Sequence, residues 1–164
     1  MQLFIGGACA GKRAAVVRHF PTAAWYRLDP QAGLSDWREA PEPGGLLEPG
    51  GVLVVTGWLA WLEAALVREP DDDRLRHELA AALAVILEAE RDLGLPMILG
   101  LVEIGRGIVP MGHRDRRLRD LAGWLAQDAA SLAERVWYVR HGLVQPLRQV
   151  NTRVIEIDAP RSDC

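Results

Sequence analysis

The chain has 164 residues, 49% of them hydrophobic and 25% charged, enough apolar material for one compact core and too little length for a second. Nineteen basic residues against 22 acidic ones leave a formal net charge of −3, so no global field draws the protein to nucleic acid or to an anionic membrane, and any anion site must be local. Two cysteines, Cys9 and Cys164, make no disulfide framework, and the compartment expected is a reducing cytoplasm.

In chain order, the first apolar run predicts a strand at 2–5, and a helix is expected near 12–20. Between them lies Gly6-Gly7-Ala8-Cys9-Ala10-Gly11-Lys12. The spacing Gly6-x-x-x-x-Gly11-Lys12 is that of a phosphate-binding loop. Backbone N–H groups curl around an anion there, and a lysine reaches the outer phosphates from the first helical turn. Gly6, Gly7, Ala8, Cys9, Ala10, Gly11, Lys12 and Arg13 are therefore the expected nucleotide-binding set. Arg13 stands where a Ser or Thr hydroxyl would reach Mg²⁺, and a guanidinium cannot coordinate a metal. Lys12 is the only lysine among the 19 basic residues.

A short strand is expected at 25–28, ending at Asp29. Residues 30–50, with Pro30, Pro41, Pro43 and Pro49, read as loop. Val52 to Val55 form a buried strand. Gly57 divides the apolar run 51–67 into this strand and a helix, Trp58 to Arg68, which is more natural than one membrane-spanning segment. Asp71, Asp72 and Asp73 place acids at the start of a long helix reaching Asp92, where charge and helix dipole agree. Gly94 and Pro96 stop it, and Met97 to Val102 give another apolar strand. A loop at 103–112 leads into a basic amphipathic helix, Arg114 to Glu134. Strand signals follow at 136–139, 143–147 and 153–157, with a turn at His141-Gly142.

This alternation predicts an α/β fold, one domain over residues 1–164: a mainly parallel sheet with helices on both faces and an antiparallel hairpin at one edge. Ligands bind at the carboxyl ends of parallel strands, which should bring the loop 6–12, Asp29, Thr56 and Glu103 together. Lys12 is the expected charge neutraliser of phosphoryl transfer. Glu103 is the expected carboxylate, either on Mg²⁺ or orienting the substrate hydroxyl, with a surface glutamate as its bland alternative. Asp29 before Pro30 reads better as a turn starter. Arg13 suits a bidentate phosphate contact or solvent equally. Arg116, Arg117 and Arg119 form either a phosphate clamp or a solvated helix face, and Asp120 lies one turn from Arg116. Trp58 and Trp61 share a helix face, a spacing that suits core or a subunit interface better than a cover for a planar ligand, and the interface is favoured.

Several segments together, namely the glycine-rich loop, Trp37-Arg38-Glu39-Ala40-Pro41, Glu103-Ile104-Gly105-Arg106-Gly107-Ile108-Val109-Pro110 and Arg116-Arg117-Leu118-Arg119-Asp120-Leu121-Ala122-Gly123, resemble the adenosylcobinamide kinase/adenosylcobinamide-phosphate guanylyltransferase family. Their order matches along most of residues 2–148. The resemblance implies a P-loop, RecA-like sheet, often a homotrimer. It also implies phosphorylation of the corrinoid aminopropanol hydroxyl with ATP or GTP and Mg²⁺, followed by transfer of GMP through a guanylylated histidine, late in cobalamin synthesis.

Three departures touch chemistry rather than fold. Arg13 replaces a hydroxyl, and Thr56 ends its strand where the family has an aspartate for Mg²⁺, so Thr56 and Glu103 are the metal ligands left to propose. Between Asp29 and Asp36 there is no histidine, so none is carried over as the guanylylated residue. Two readings lead at this point, an enzyme of this family with its kinase step foremost and a non-catalytic nucleotide- or corrinoid-binding homologue with an eroded metal site; a third, weaker one is another small-molecule kinase on the same scaffold.

Overall fold

The computed structural model describes residues 1–38, 51–105, 107 and 111–149. The elements in chain order are β1 (Gln2–Gly6), α1 (Lys12–His19), β2 (Ala24–Arg27), a 3₁₀ turn (Asp36–Arg38), β3 (Leu53–Thr56), α2 (Trp58–Arg68), α3 (Asp72–Leu93), β4 (Met97–Val102), α4 (His113–Leu132), β5 (Arg135–Arg140) and β6 (Leu143–Gln149). They build a sheet of order β2-β3-β4-β1-β5-β6. All neighbours are parallel except β5 and β6, which pair antiparallel. The α/β expectation holds, with the antiparallel pair at the edge. The strand expected at 153–157, the residues Glu39-Ala40-Pro41, Arg106 and Ile108-Val109-Pro110 lie outside the described residues.

Alternation along each strand sorts side chains between two unequal layers. Leu3, Leu53, Val55, Met97, Leu99, Leu101 and Val136 face one way, into a core closed by α2, α3 and α4. Phe4, Val54, Ile98 and Val139 face the other way, where Ala15 and Val16 of α1 pack on them. Both sides carry helices, as expected, but the second has α1 alone among the described elements. The carboxyl half of β2, β3 and β4 therefore keeps an open face on the α1 side.

The ends of the elements follow local chemistry. Asp71 caps α3, its carboxylate accepting from the N–H groups of Asp73 at 2.9 Å and Arg74 at 3.3 Å, a cap that contributes about 1 kcal/mol. Gly94, at φ 61°, ends that helix. Gly57, at φ 93°, turns β3 into α2 beside the backbone of Leu28, 3.0 Å from where a Cβ would stand, so strand and helix divide there as expected.

Trp58 and Trp61 correct the interface expectation. Both are fully buried within this chain. The Trp58 indole N–H donates to the carbonyl of Val55 at 3.2 Å, and that of Trp61 to Ala32 at 3.0 Å. The reason is that α2 turns its large residues into the core it shares with the sheet, α3 and α4, and Trp61 also ties down the loop following β2, so neither indole faces a partner.

Candidate functional site

The glycine-rich segment joins β1 to α1, with Lys12 as the first helical residue. Gly11 lies just before the helix at φ 96° and Cys9 at φ 55°, the left-handed kinks that let successive amides converge on an anion. Gly6 is required for packing: a Cβ there would run into the carbonyl of Val139 on β5. The two-residue turn His141-Gly142, at φ 53° and 75°, matches the left-handed pair of a tight hairpin. The Gly142 N–H donates to the Ala10 carbonyl at 2.9 Å. The loop is thus braced from behind by the β5–β6 hairpin. The sequence contained the turn signal, but the contact between a turn and a loop some 130 residues apart has no local signature.

Lys12 folds over this loop. Its Nζ donates to the carbonyls of Gly6 and Gly7, both at 2.7 Å. Burial pushes the ammonium below its ordinary pKa, while the Cys9 thiol and the Glu103 carboxylate pull in the opposite direction. The result is a half-desolvated cation on the rim of a cavity, the state in which a phosphate oxygen is most welcome.

That cavity, of about 330 Å³, occupies the open α1 face. Register explains its walls. Trp25 pairs with Val54 and Arg27 with Thr56 across β2 and β3, so all four project to the same side. Gly100 on β4 supplies no side chain, and a Cβ there would stand 3.0 Å from the Thr56 methyl. Lys12 and Arg13 close the α1 side. The Arg13 guanidinium lies 4.5 Å from the centroid of the Trp25 ring, a cation–π contact made by a residue that remains exposed. Sequence reading singled out neither Trp25 nor Arg27. Their spacing of two on a strand ending toward the site was the signal available.

Of the four positions expected to converge, the loop and Thr56 do. Thr56 lines the cavity with Lys12, and its hydroxyl donates to the Tyr26 carbonyl at 3.3 Å. Glu103 follows β4, accepts from the Tyr138 hydroxyl at 3.0 Å, and is close enough to act on Lys12 electrostatically. Asp29 does not converge. It is exposed and accepts from the Gln31 N–H at 2.8 Å, the Asx turn that its position before Pro30 suggested. Its charge acts instead with Asp36, after the larger effect of burial, in raising the Tyr26 phenol, and Tyr26 packs on the three-helix side.

No group of three or more His, Cys, Asp and Glu side chains gathers among the described residues. A cation caged by protein alone does not fit this donor set. Magnesium carried on nucleotide phosphates does, since it keeps several waters and needs only one or two carboxylates. Glu103 can supply one, and the lone pairs of Thr56 stay open to a bound water.

The basic helix face is mostly structural. Arg117 is bound to the carboxylate of Asp72 at 2.7 Å and to the Glu69 carbonyl at 3.0 Å. Arg119 binds Asp120 at 3.0 Å, its stem against Gly105, and Arg116 donates to the Met111 carbonyl at 2.6 Å. The histidines lie elsewhere: His19 and His77 are on helices, His113 opens one and His141 is in the hairpin turn. None lines the Lys12 cavity.

The sequence profile of the cobinamide kinase / cobinamide phosphate guanyltransferase family matches residues 46–147. The chain is 33% identical over 172 aligned residues to the bifunctional adenosylcobalamin biosynthesis protein CobP of Pseudomonas aeruginosa, covering 90% of this chain and 96% of that one. It is also 31% identical over 83 residues to the bifunctional adenosylcobalamin biosynthesis protein CobU of Salmonella typhimurium, covering 51% of this chain and 41% of that one.

Proposed function

The chain belongs to the cobinamide kinase / cobinamide phosphate guanyltransferase family, and from that premise we propose that it phosphorylates the aminopropanol hydroxyl of adenosylcobinamide with ATP or GTP, in cobalamin biosynthesis. The observation that carries this reading is the position of Lys12, folded over the Gly6–Gly7 carbonyls at the rim of a cavity on the carboxyl side of the sheet.

The chemistry follows from charge. The phosphate chain lies along the loop from Gly6 to Arg13, its oxygens on backbone amides and the amino end of α1. Lys12 leaves the loop carbonyls for the outer phosphates and neutralises charge as the phosphoryl group moves. The hydroxyl oxygen of the acceptor bonds to the terminal phosphorus, the bond to the bridging oxygen breaks, nucleoside diphosphate departs, and the hydroxyl proton passes to water. Glu103 is the proposed carboxylate toward nucleotide-borne Mg²⁺, with Thr56 contacting one of its waters. Magnesium supplies charge neutralisation between the phosphates when bound.

The guanylyl half-reaction is not assigned to a protein histidine, because none of the four lines this cavity. The homotrimer implied by the family resemblance belongs to the same proposal and is tested by light scattering. No described helix is long and apolar enough to cross a membrane.

The deciding experiment incubates purified protein with adenosylcobinamide and ATP or GTP, with and without Mg²⁺, and reads corrinoid mass. A phosphorylated corrinoid, lost in Lys12→Ala, is expected. No corrinoid product from a protein that demonstrably binds nucleotide would leave the non-catalytic reading in its place.

A further inference from the structure

Among the described residues, the cavity beside Lys12 carries three cations, Lys12, Arg13 and Arg27, and no carboxylate, in walls otherwise made of apolar residues, Thr56 and glycines. This is unexpected in a protein whose net charge is −3. Low-dielectric walls lined by one sign of charge focus the field on an anion. Arg13 is stacked on Trp25, and neither it nor Arg27 is paired with a carboxylate among the described residues.

The two arginines differ in location. Arg13 is next to Lys12 on α1, within reach of nucleotide. Arg27 ends β2, which is separated from β1 by both β3 and β4, so it stands across the cavity from the phosphate loop. Arg27 also borders a second cavity of about 380 Å³ that shares Thr56, Gly57, Gly100 and Val102 with the first and continues to Glu63 on α2. The two form one trough, with the nucleotide loop at one end, open space beyond Arg27 at the other and Arg27 between.

We propose that Arg27, assisted by Arg13, forms an acceptor-side phosphate subsite that binds the phosphorylated corrinoid in preference to its unphosphorylated precursor. The inference rests on the kinase reading above. Transfer converts a neutral hydroxyl into a phosphomonoester carrying about −1.5 to −2 charges at neutral pH. The arm that enters the trough uncharged therefore becomes the partner that two unpaired guanidiniums select, and fork-shaped guanidinium contacts suit a tetrahedral phosphate. The consequence is retention: the product of the first step stays on the protein, available for the nucleotidyl transfer that consumes it.

The test compares binding of adenosylcobinamide phosphate and adenosylcobinamide to the parent, Arg27→Gln and Arg27→Lys, by calorimetry, with nucleotide binding and a thermal melt on each. The parent should prefer the phosphorylated ligand. Arg27→Gln should lose about ten- to hundredfold of that preference, Arg27→Lys should keep part of it, and nucleotide affinity should move by less than the corrinoid preference. An unchanged preference in Arg27→Gln overturns the inference, and so does an equal loss of nucleotide affinity, which would make Arg27 a nucleotide clamp. A parent that binds nucleotide but neither corrinoid overturns the substrate reading itself, and this inference with it.

Discussion

The Gly142 N–H donates to the carbonyl of Ala10 at 2.9 Å, which fastens the β5–β6 turn to the back of the glycine-rich loop. Beside this bond the Val139 carbonyl occupies the space a Cβ on Gly6 would need, while nothing lies within 4 Å of one on Gly7. Gly6→Ala should therefore destabilise the protein by about 1–3 kcal/mol, the usual cost of overpacking. Gly7→Ala should leave the melting transition within about 0.5 kcal/mol of the parent. Denaturant unfolding of the pair decides it, and equal stability of the two would show that the hairpin does not brace the loop.

Lys12 gives a signed pH dependence. Burial holds its pKa below the ordinary value of 10.5. Between the lowered value and 10.5 the unfolded chain binds more protons than the native one, so this group makes stability rise with pH across that window. Below the window the cost of burying the charge is fully present. Phosphate reverses the balance by favouring the charged amine, so nucleotide binding should take up a proton in the same alkaline window, and affinity should fall as pH rises through the lowered pKa. Calorimetry in two buffers of different ionisation enthalpy reads the uptake. It should vanish in Lys12→Met, and equal uptake in both proteins would place the titrating group elsewhere.

Arg13 stands where a metal-binding hydroxyl would be and stacks on Trp25. Arg13→Ser removes a contact of about 0.5–1 kcal/mol and supplies the missing oxygen. The variant should bind nucleotide with a steeper Mg²⁺ dependence than the parent and change the Trp25 environment seen by fluorescence. Nucleotide titrations with Mg²⁺ and with chelator compare the two directly. Identical metal dependence would mean that the hydroxyl position is not turned toward the phosphates.

The main elements were legible because each has a local cause. Apolar runs marked β3 and β4, Asp71 marked the start of α3, Gly94 its end, and Gly57 the break between β3 and α2. The strand-loop-helix setting of the glycine-rich segment was legible for the same reason, being contiguous. What escaped was set by neighbours distant in sequence. Trp58 and Trp61 looked like interface residues because nothing local reveals that the fold buries both, Trp61 against the loop after β2. Asp29 follows a strand on the correct side, yet its local turn chemistry draws it away from the site. Arg27 faces the same cavity as Lys12 only because β2 pairs with β3 in the register Arg27–Thr56, which no periodicity specifies.

Arg117 separates a structural from a functional reading of the basic helix. Its guanidinium bridges Asp72 at the start of α3 and the Glu69 carbonyl just after α2, so one side chain on α4 joins the other two helices of that face. The side chain is 14% exposed against 36% for Asp72, which places the pair where water only partly screens it. Arg117→Ala leaves a carboxylate and a carbonyl without their donor and should cost about 1–3 kcal/mol. Asp72→Ala should cost a similar amount, because it takes the carboxylate away from the less exposed member of the pair and leaves the guanidinium only the Glu69 carbonyl. The double variant should be more stable than the sum of the two losses predicts, by about 0.5 kcal/mol or more, since the residues share one interaction. Nucleotide affinity should be unchanged in all three, because the ion pair faces the α2–α3 connection rather than the Lys12 cavity. A phosphate clamp would behave in the opposite way, with affinity lost in Arg117→Ala and stability held, so unfolding curves and nucleotide titrations on the same three variants distinguish the roles.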